Sequence, residues 1–70
     1  MEKAAMRSVM AKNGDTQERL AEALDLCVSG LNARINGKIE FRAGEISKIV
    51  RRYKLTPDET TDIFFNQNAS

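Results

Sequence analysis

Residues 16–38, TQERLAEALDLCVSGLNARINGK, decide the fold of this 70-residue chain. Their apolar residues recur at helical spacing in two short runs that are separated by a turn. Leu20 and Leu24 lie on the stripe of the first run, and Leu31 and Ile35 form an i, i+4 pair in the second. We therefore expect two short amphipathic helices joined by a tight turn.

The ends of both helices carry recognisable signals. Thr16 is a preferred N-cap residue for the first helix. Asn36-Gly37 ends the second, because glycine adopts the left-handed conformation of a helix end without steric cost. Between the helices, Asp25 occupies a turn position that needs a positive φ, which Asp tolerates better than most residues. Leu26 follows as an apolar plug, so that the stretch as a whole predicts a helix-turn-helix.

The second helix of this unit has an outward face of small or hydrogen-bonding residues. That face consists of Val28, Ser29, Asn32 and Ala33. Side chains of this kind suit a surface that is pressed against base edges in the major groove of duplex DNA. We therefore expect these four residues to contact bases.

Composition restricts the remaining possibilities. Seventy residues allow one domain, and 41% apolar residues with a single proline are typical of a globular chain. The sequence shows no signal peptide and no membrane-spanning run. One Cys and no His remove the commonest zinc sites and nucleophile–base pairs. We expect a cytoplasmic protein that is not an enzyme, has no catalytic or metal site and needs no cofactor, small-molecule ligand or membrane.

Charge is distributed unevenly along the chain, although the net charge is only +1. Residues 34–54 hold seven basic side chains against two acidic ones, whereas residues 55–70 hold three acidic side chains and no basic one. This asymmetry permits a cationic face towards phosphate. The alternative for Lys48 and Arg51-Arg52 is that they only solvate the outer face of a helix.

The periodicity of the whole chain predicts an all-α domain of five helices that shares one small core. The predicted helices span residues 2–13, 16–24, 27–36, 42–54 and 57–65, followed by a polar tail at 66–70 within a single domain of residues 1–70. Met6 and Met10 fall on the core stripe of the first helix. Thr56, Pro57 and Glu59 predict the start of the last one, with a capping box and proline at the first helical position.

Two groups of residues carry a family resemblance that covers roughly residues 6–65. Within the helix-turn-helix they are Gln17, Ala21, Leu26, Ser29-Gly30, Leu31, Ala33 and Asn36-Gly37. In the flanks they are Phe41, Glu45-Ile46, Ile49, Leu55-Thr56, Glu59 and Ile63-Phe64-Phe65. In these positions the chain resembles the phage lambda-type Cro/repressor superfamily and its small phage-repressor-like members. The resemblance implies a compact five-helix domain that binds a duplex DNA operator as a homodimer and regulates transcription.

The resemblance also implies contacts to the DNA backbone. Gln17 opens the first helix of the unit, where unpaired N–H groups favour phosphate, and Asn36 and Lys38 follow the recognition helix. Cys27, at the N-cap of that helix, is assigned to the backbone as well, and an inert thiol is expected there. Val28 stands where relatives often carry Gln, so we expect it to pack on a thymine methyl group.

Arg34, Gly30 and the pair Phe64-Phe65 raise questions that the sequence alone does not decide. Arg34 can extend into solvent, towards phosphate or towards an acidic side chain of the second helix. Gly30 costs about 1 kcal/mol in mid-helix, for which a close approach of two helices is the expected compensation. Phe64 and Phe65 cannot both fit one narrow stripe. Either the last helix is clamped on two sides or one Phe is left for a partner, as in a small antitoxin-like or adaptor module that binds protein instead of DNA.

Overall fold

The computed structural model describes residues 3–65. Its helices are α1 (Lys3–Lys12), α2 (Gln17–Ala23), α3 (Val28–Ile35), α4 (Ala43–Tyr53) and α5 (Pro57–Thr60), and a π-helical turn, Thr61–Phe65, continues α5. This part of the chain contains no strand, and the predicted all-α, five-helix fold with its helix-turn-helix at α2 and α3 is confirmed. Residues 1–2 and the predicted tail, 66–70, lie outside the described residues.

A residue of left-handed conformation follows each of the helices α1 to α4 within two positions. These residues are Gly14, Asp25, Gly37 and Lys54, with φ values of 63°, 62°, 81° and 53°. At each end, the N–H of the next residue donates to the carbonyl oxygen five positions earlier, over 2.8–3.0 Å. We call this arrangement the left-handed cap; it satisfies carbonyl groups that a helix end leaves free. The positive φ predicted at Asp25 is confirmed, whereas nothing in the sequence predicts one at Lys54.

The predicted N-caps are also present. The Thr16 hydroxyl accepts the N–H of Arg19 at 3.1 Å. The Thr56 hydroxyl accepts the N–H of Glu59 at 3.1 Å, and the Glu59 carboxylate accepts the N–H of Thr56 at 2.8 Å. Pro57 is the first residue of α5. The sequence-based ranges of the second, third and fourth helices run one residue further at each end, because they include the cap residues. The range of the first helix ends one residue later than α1 does.

The last helix differs from the predicted α-helix at 57–65. Only Pro57–Thr60 is α-helical, and Thr61–Phe65 forms a wider turn with i→i+5 geometry. Three successive large residues do not fit the apolar stripe of an α-helix. The wider turn brings Ile63 and Phe64 into the core together and leaves Phe65 with 55% of its surface exposed.

The core lies between α1, α2, α3, α4 and the π-helical turn. Its completely enclosed side chains are Met6, Leu20, Leu31, Ile35 and Ile49. Phe41, in the segment between α3 and α4, packs edge to face on Phe64 with ring centroids 5.6 Å apart. Ile39 alternates with Phe41 in this segment and from the sequence would be a second apolar anchor, but it is 47% exposed. No helix in residues 3–65 has the length and apolar character needed to cross a membrane.

A polar cluster joins the connection between α1 and α2 to the end of α4. The Arg52 guanidinium donates two hydrogen bonds to the Asp15 carboxylate, at 2.8 and 2.9 Å, and the Tyr53 hydroxyl donates a third. The hydrogen bond from Arg52 is the main reason that the pKa of Asp15 is held well below its usual range. Burial, together with the bond to Asp15, raises the pKa of Tyr53.

Asp15 should make the domain acid-sensitive. A carboxylate whose pKa is lowered by folding contributes stability in full above its unfolded pKa of about 4, and this stability is lost as the pH falls below that value. At pH 7 we expect Asp15→Asn to lower the free energy of unfolding by about 2 kcal/mol, and the difference from the unsubstituted protein should shrink steadily below pH 4. Urea unfolding between pH 7 and pH 2.5 measures both. Asp62→Asn, an exposed carboxylate of the π-helical turn, controls for net charge, and an equal effect of the two substitutions would contradict the role of the cluster.

Asp25 should carry conformational strain that glycine relieves. Its φ of 62° costs a residue with a Cβ more than it costs glycine. We expect Asp25→Gly to raise the free energy of unfolding by about 0.5–1 kcal/mol. Asp25→Asn removes the same charge but keeps the Cβ, so it should leave stability nearly unchanged. Denaturant titration of the three proteins separates the two effects, and equal stability of the Gly and Asn variants would show that the backbone is not strained here.

Candidate DNA-binding surface

The two sides of α3 differ sharply. Leu31 and Ile35 are buried against the rest of the domain. Val28, Ser29 and Asn32 are exposed, Val28 to 40% of its surface. Ala33 is half-buried. It is the fourth residue of the face that the sequence predicts to contact bases, which we call the reading face (Val28, Ser29, Asn32 and Ala33). The helix therefore presents a compact surface of small side chains to the outside.

Cys27 caps the start of α3. Its Sγ accepts the N–H of Gly30 at 3.4 Å and lies 3.4 Å from the hydroxyl oxygen of Ser29. The hydrogen bond with Ser29, and then that with Gly30, lower the pKa of the exposed thiol. Cys27 is thus the N-cap residue that the sequence predicts, and the Ser29 hydroxyl is within hydrogen-bond distance of this cap.

The other end of α3 is polar and cationic. Asn36 and Lys38 are exposed there, on either side of the left-handed Gly37. The Asn36 side-chain oxygen accepts a hydrogen bond from Nζ of Lys3 at 3.4 Å. Lys3, from the start of α1, therefore adds a positive charge to this end of the helix, which sequence reasoning missed because the two residues are 33 positions apart.

The remaining predicted backbone contact, Gln17, lies in the first turn of α2 and is half-buried. A shallow groove between α2 and the start of α3 brings acidic side chains close to Val28. Its lining includes Glu18, Glu22 and Asp25 together with Cys27 and Val28. The surface around α3 is thus electrically asymmetric, with acidic groups beside its N-terminal end and lysines at its C-terminal end.

Arg34 is buried, and its environment answers the question that the sequence leaves open. Nε donates to Glu45 Oε1 at 3.0 Å, and Nη1 donates to the carbonyl oxygen of Gly30 at 3.0 Å. Only 11% of the Arg34 side chain is accessible. The acidic partner thus belongs to α4, whereas the sequence-based alternative placed it on α2.

Glu45 has two tasks in this arrangement. Its Oε1 accepts the N–H of Arg42 at 2.9 Å, which caps α4, as well as the bond from Arg34. Burial raises the pKa of Glu45, but the bond from the Arg42 N–H and the bond and charge of Arg34 outweigh it, so that the pKa is lowered overall. The carboxylate is therefore held in its charged form between α3 and α4.

Gly30 does not mark the close approach of two helices that the sequence suggests. A Cβ atom at this position would lie 3.4 Å from Cys27 Sγ and 3.5 Å from Arg34 Nη1, which are ordinary van der Waals distances. These neighbours are the N-cap residue of α3 and a residue of its last turn, and no other helix contacts the site within 4 Å. That expectation is wrong, because the space beside Gly30 is filled by side chains of α3 and its cap.

A second exposed surface lies between the α3–α4 segment and the π-helical turn. It is a groove of about 350 Å³ whose lining includes Ile39, Phe41, Phe64 and Phe65. Ile39 and Phe65 are the exposed apolar members, while Phe64 is buried. Of the two phenylalanines considered for a partner, Phe65 is therefore the one that is accessible.

Comparison with known proteins agrees with this geometry. A helix-turn-helix family model matches residues 6–60, which include most of α1 and all of α2 to α5. The chain belongs to this helix-turn-helix family. Membership identifies the protein as a DNA-binding regulator in general terms. No curated protein and no solved structure matches the chain.

Cys27 offers a direct test of where duplex DNA lies on this helix-turn-helix protein. Its lowered pKa favours the reactive thiolate, and a bulky alkyl group at the start of α3 should weaken duplex binding at least tenfold if that end faces the groove. Binding of alkylated and untreated protein to the same duplex is compared after circular dichroism has shown both to be folded.

Two controls accompany this test. The affinity of Cys27→Ser for the duplex should be the same with and without the reagent. In Cys27→Ser/Ser8→Cys the label sits instead on the exposed face of α1, in the groove beside Glu59 and Asp62, and binding should again be unaffected. Unchanged affinity of the protein alkylated at Cys27 would place this end of α3 away from the DNA.

Proposed function

We propose that the protein is a transcriptional repressor of the phage or prophage type, which acts in the cytoplasm by occupying a DNA operator as a homodimer. The observation that carries the proposal is the exposed face of α3, formed by Val28, Ser29 and Asn32, on a helix whose opposite side is buried in the core. In a helix-turn-helix this is the helix that enters the major groove.

The reading face has a defined chemical character. Asn32 can pair with a base through both donor and acceptor atoms, and Ser29 can bond to either kind of edge atom. Val28 has no hydrogen-bonding atom, so its partner is the thymine methyl group, and Ala33 supplies a small flank that permits close approach. The proposed operator half-site therefore contains a thymine opposite the start of α3.

The DNA backbone would be held at both ends of the unit. Asn36 and Lys38 support this at the C-terminal end of α3, with Lys3 as a further cation next to Asn36. Gln17 and Cys27 are proposed for the phosphates near the start of α2 and α3. Because acidic side chains lie beside Val28, the phosphate attraction is expected to be concentrated at the lysine end.

The exposed pair Ile39 and Phe65 supports dimerisation. Both side chains expose about half of their surface around one groove, and contact with a second copy would remove this apolar area from water. Two recognition helices in such a dimer would meet half-sites about 34–36 Å apart. The same surface would serve a protein-binding adaptor, so duplex binding is what separates the two functions.

Selection from a random duplex library tests the proposal. A repressor of this kind should enrich an inverted repeat with half-sites one helical turn apart, and the complex should contain two protomers by analytical ultracentrifugation. The absence of any enriched sequence, with no salt-dependent binding to bulk duplex DNA, would refute DNA reading and favour the adaptor. An enriched site without symmetry, bound by one protomer, would refute the dimer.

The enriched operator then permits a double-mutant cycle, in which Val28 and the thymine that it contacts are each replaced and the affinity is measured. Replacing the contacted thymine by uracil removes one methyl group, worth about 0.8 kcal/mol or roughly fourfold in affinity. In Val28→Ala most of this difference should vanish, whereas Val9→Ala, a half-buried valine of α1, should preserve it. Val28→Gln should shift the preference towards adenine. If no operator position couples to Val28, the assignment of the reading face is wrong.

A further inference from the structure

Arg34 and Glu45 connect the recognition helix to α4. The guanidinium bonds to Glu45 Oε1 and to the Gly30 carbonyl, each at 3.0 Å, and the same Oε1 accepts the N–H of Arg42 at 2.9 Å. A single carboxylate oxygen therefore ties the last turn of α3 to the first turn of α4. The side chains of this ion pair are 11% and 12% accessible, so solvent screens it little.

The apolar contacts of α3 constrain the helix in a different manner. Leu31 and Ile35 are held by burial, which is non-directional. A charged hydrogen bond from a planar guanidinium, in contrast, fixes distance and angle together. Arg34 thus restricts the rotation of α3 about its own axis more than apolar packing alone would.

We propose that Arg34 is a positioning residue for operator specificity, which holds α3 at the rotation where its exposed face meets the bases. This rests on the proposed function, because it assumes that the exposed face reads DNA. At 3.6 residues per turn, Arg34 lies on the side of α3 opposite to Ser29 and Asn32. Any rotation that it prevents would displace the whole reading face at once.

The test uses a double variant that leaves no unpaired charge. Arg34→Met/Glu45→Gln removes the ion pair, while the Gln side-chain oxygen can still accept the Arg42 N–H and cap α4. The matched control is Arg52→Met/Asp15→Asn, which removes the other ion pair of α4 without touching α3. If the first variant does not fold, Arg34→Lys replaces it, because a compact ammonium cannot reproduce the two bonds of the guanidinium fork.

The first measurement needs no DNA. Amide residual dipolar couplings of the free proteins report the orientation of α3 relative to α4. We expect α3 to change its orientation in Arg34→Met/Glu45→Gln and to keep it in the control. Unchanged couplings in both proteins would overturn the proposal, whatever the protein binds.

The second measurement is affinity for the selected operator and for a scrambled duplex, over a range of salt concentrations. The ratio of the affinity for the operator to the affinity for the scrambled duplex should fall roughly tenfold in Arg34→Met/Glu45→Gln, which is about the discrimination of one base contact. The slope of log affinity against log salt concentration should stay the same. A slope smaller by about one unit, with both duplexes weakened alike, would make Arg34 a phosphate contact and overturn the proposal. An equal fall of this affinity ratio in the control variant would also overturn the proposal.

These outcomes separate the inference from the proposed function. If the unsubstituted protein prefers no duplex sequence, the proposed function fails, and the couplings still decide whether Arg34 orients α3. If the protein prefers an operator and the Arg34 variants keep that preference, the inference fails alone.

Discussion

Four helices of this small domain must stop abruptly, and the left-handed cap is how each one does so. The caps at Gly14 and Gly37 are followed by the polar residues Asp15 and Lys38. The caps at Asp25 and Lys54 are followed by Leu26, which packs against the core, and by Leu55, which lies in it. Burial of these leucines offsets part of the cost of a left-handed residue that carries a Cβ. Without these stops, connections of only a few residues could not turn the chain back on itself to enclose one core.

The features that the sequence predicts are local ones. Thr16, Thr56 and Gly37 act within a few residues of their own position, and helical periodicity assigns Leu31 and Ile35 to the core without knowledge of the partner helices. The positive φ of Asp25 belongs to the same class, because the turn between two apolar stripes leaves few residues that can adopt it. For such features the chemical cause lies within one helical turn of sequence.

What the sequence does not predict depends on pairs that meet only in the folded domain. The partners of Arg34, Arg52 and Asn36 are 11, 37 and 33 positions away, respectively, and no local pattern distinguishes them from other polar residues. The different fates of Phe64 and Phe65 depend on the π-helical turn, which periodicity of 3.6 residues does not foresee. For the candidate site, the exposed face of α3 follows from spacing, whereas the lysine of α1 and the acidic groups beside Val28 emerge only from packing.

A carboxylate holds each end of helix α4. Glu45 connects its first turn to α3, and Asp15 connects its last turn to the α1–α2 connection. A displacement of α3 would therefore have to move α4 and the α1–α2 connection as well. Under the proposed function, DNA that contacts α3 would therefore meet a helix that is tied through α4 to the α1–α2 connection. A helix that is held in place before binding loses less conformational entropy on association, so such a helix would retain more of the free energy of its contacts as affinity.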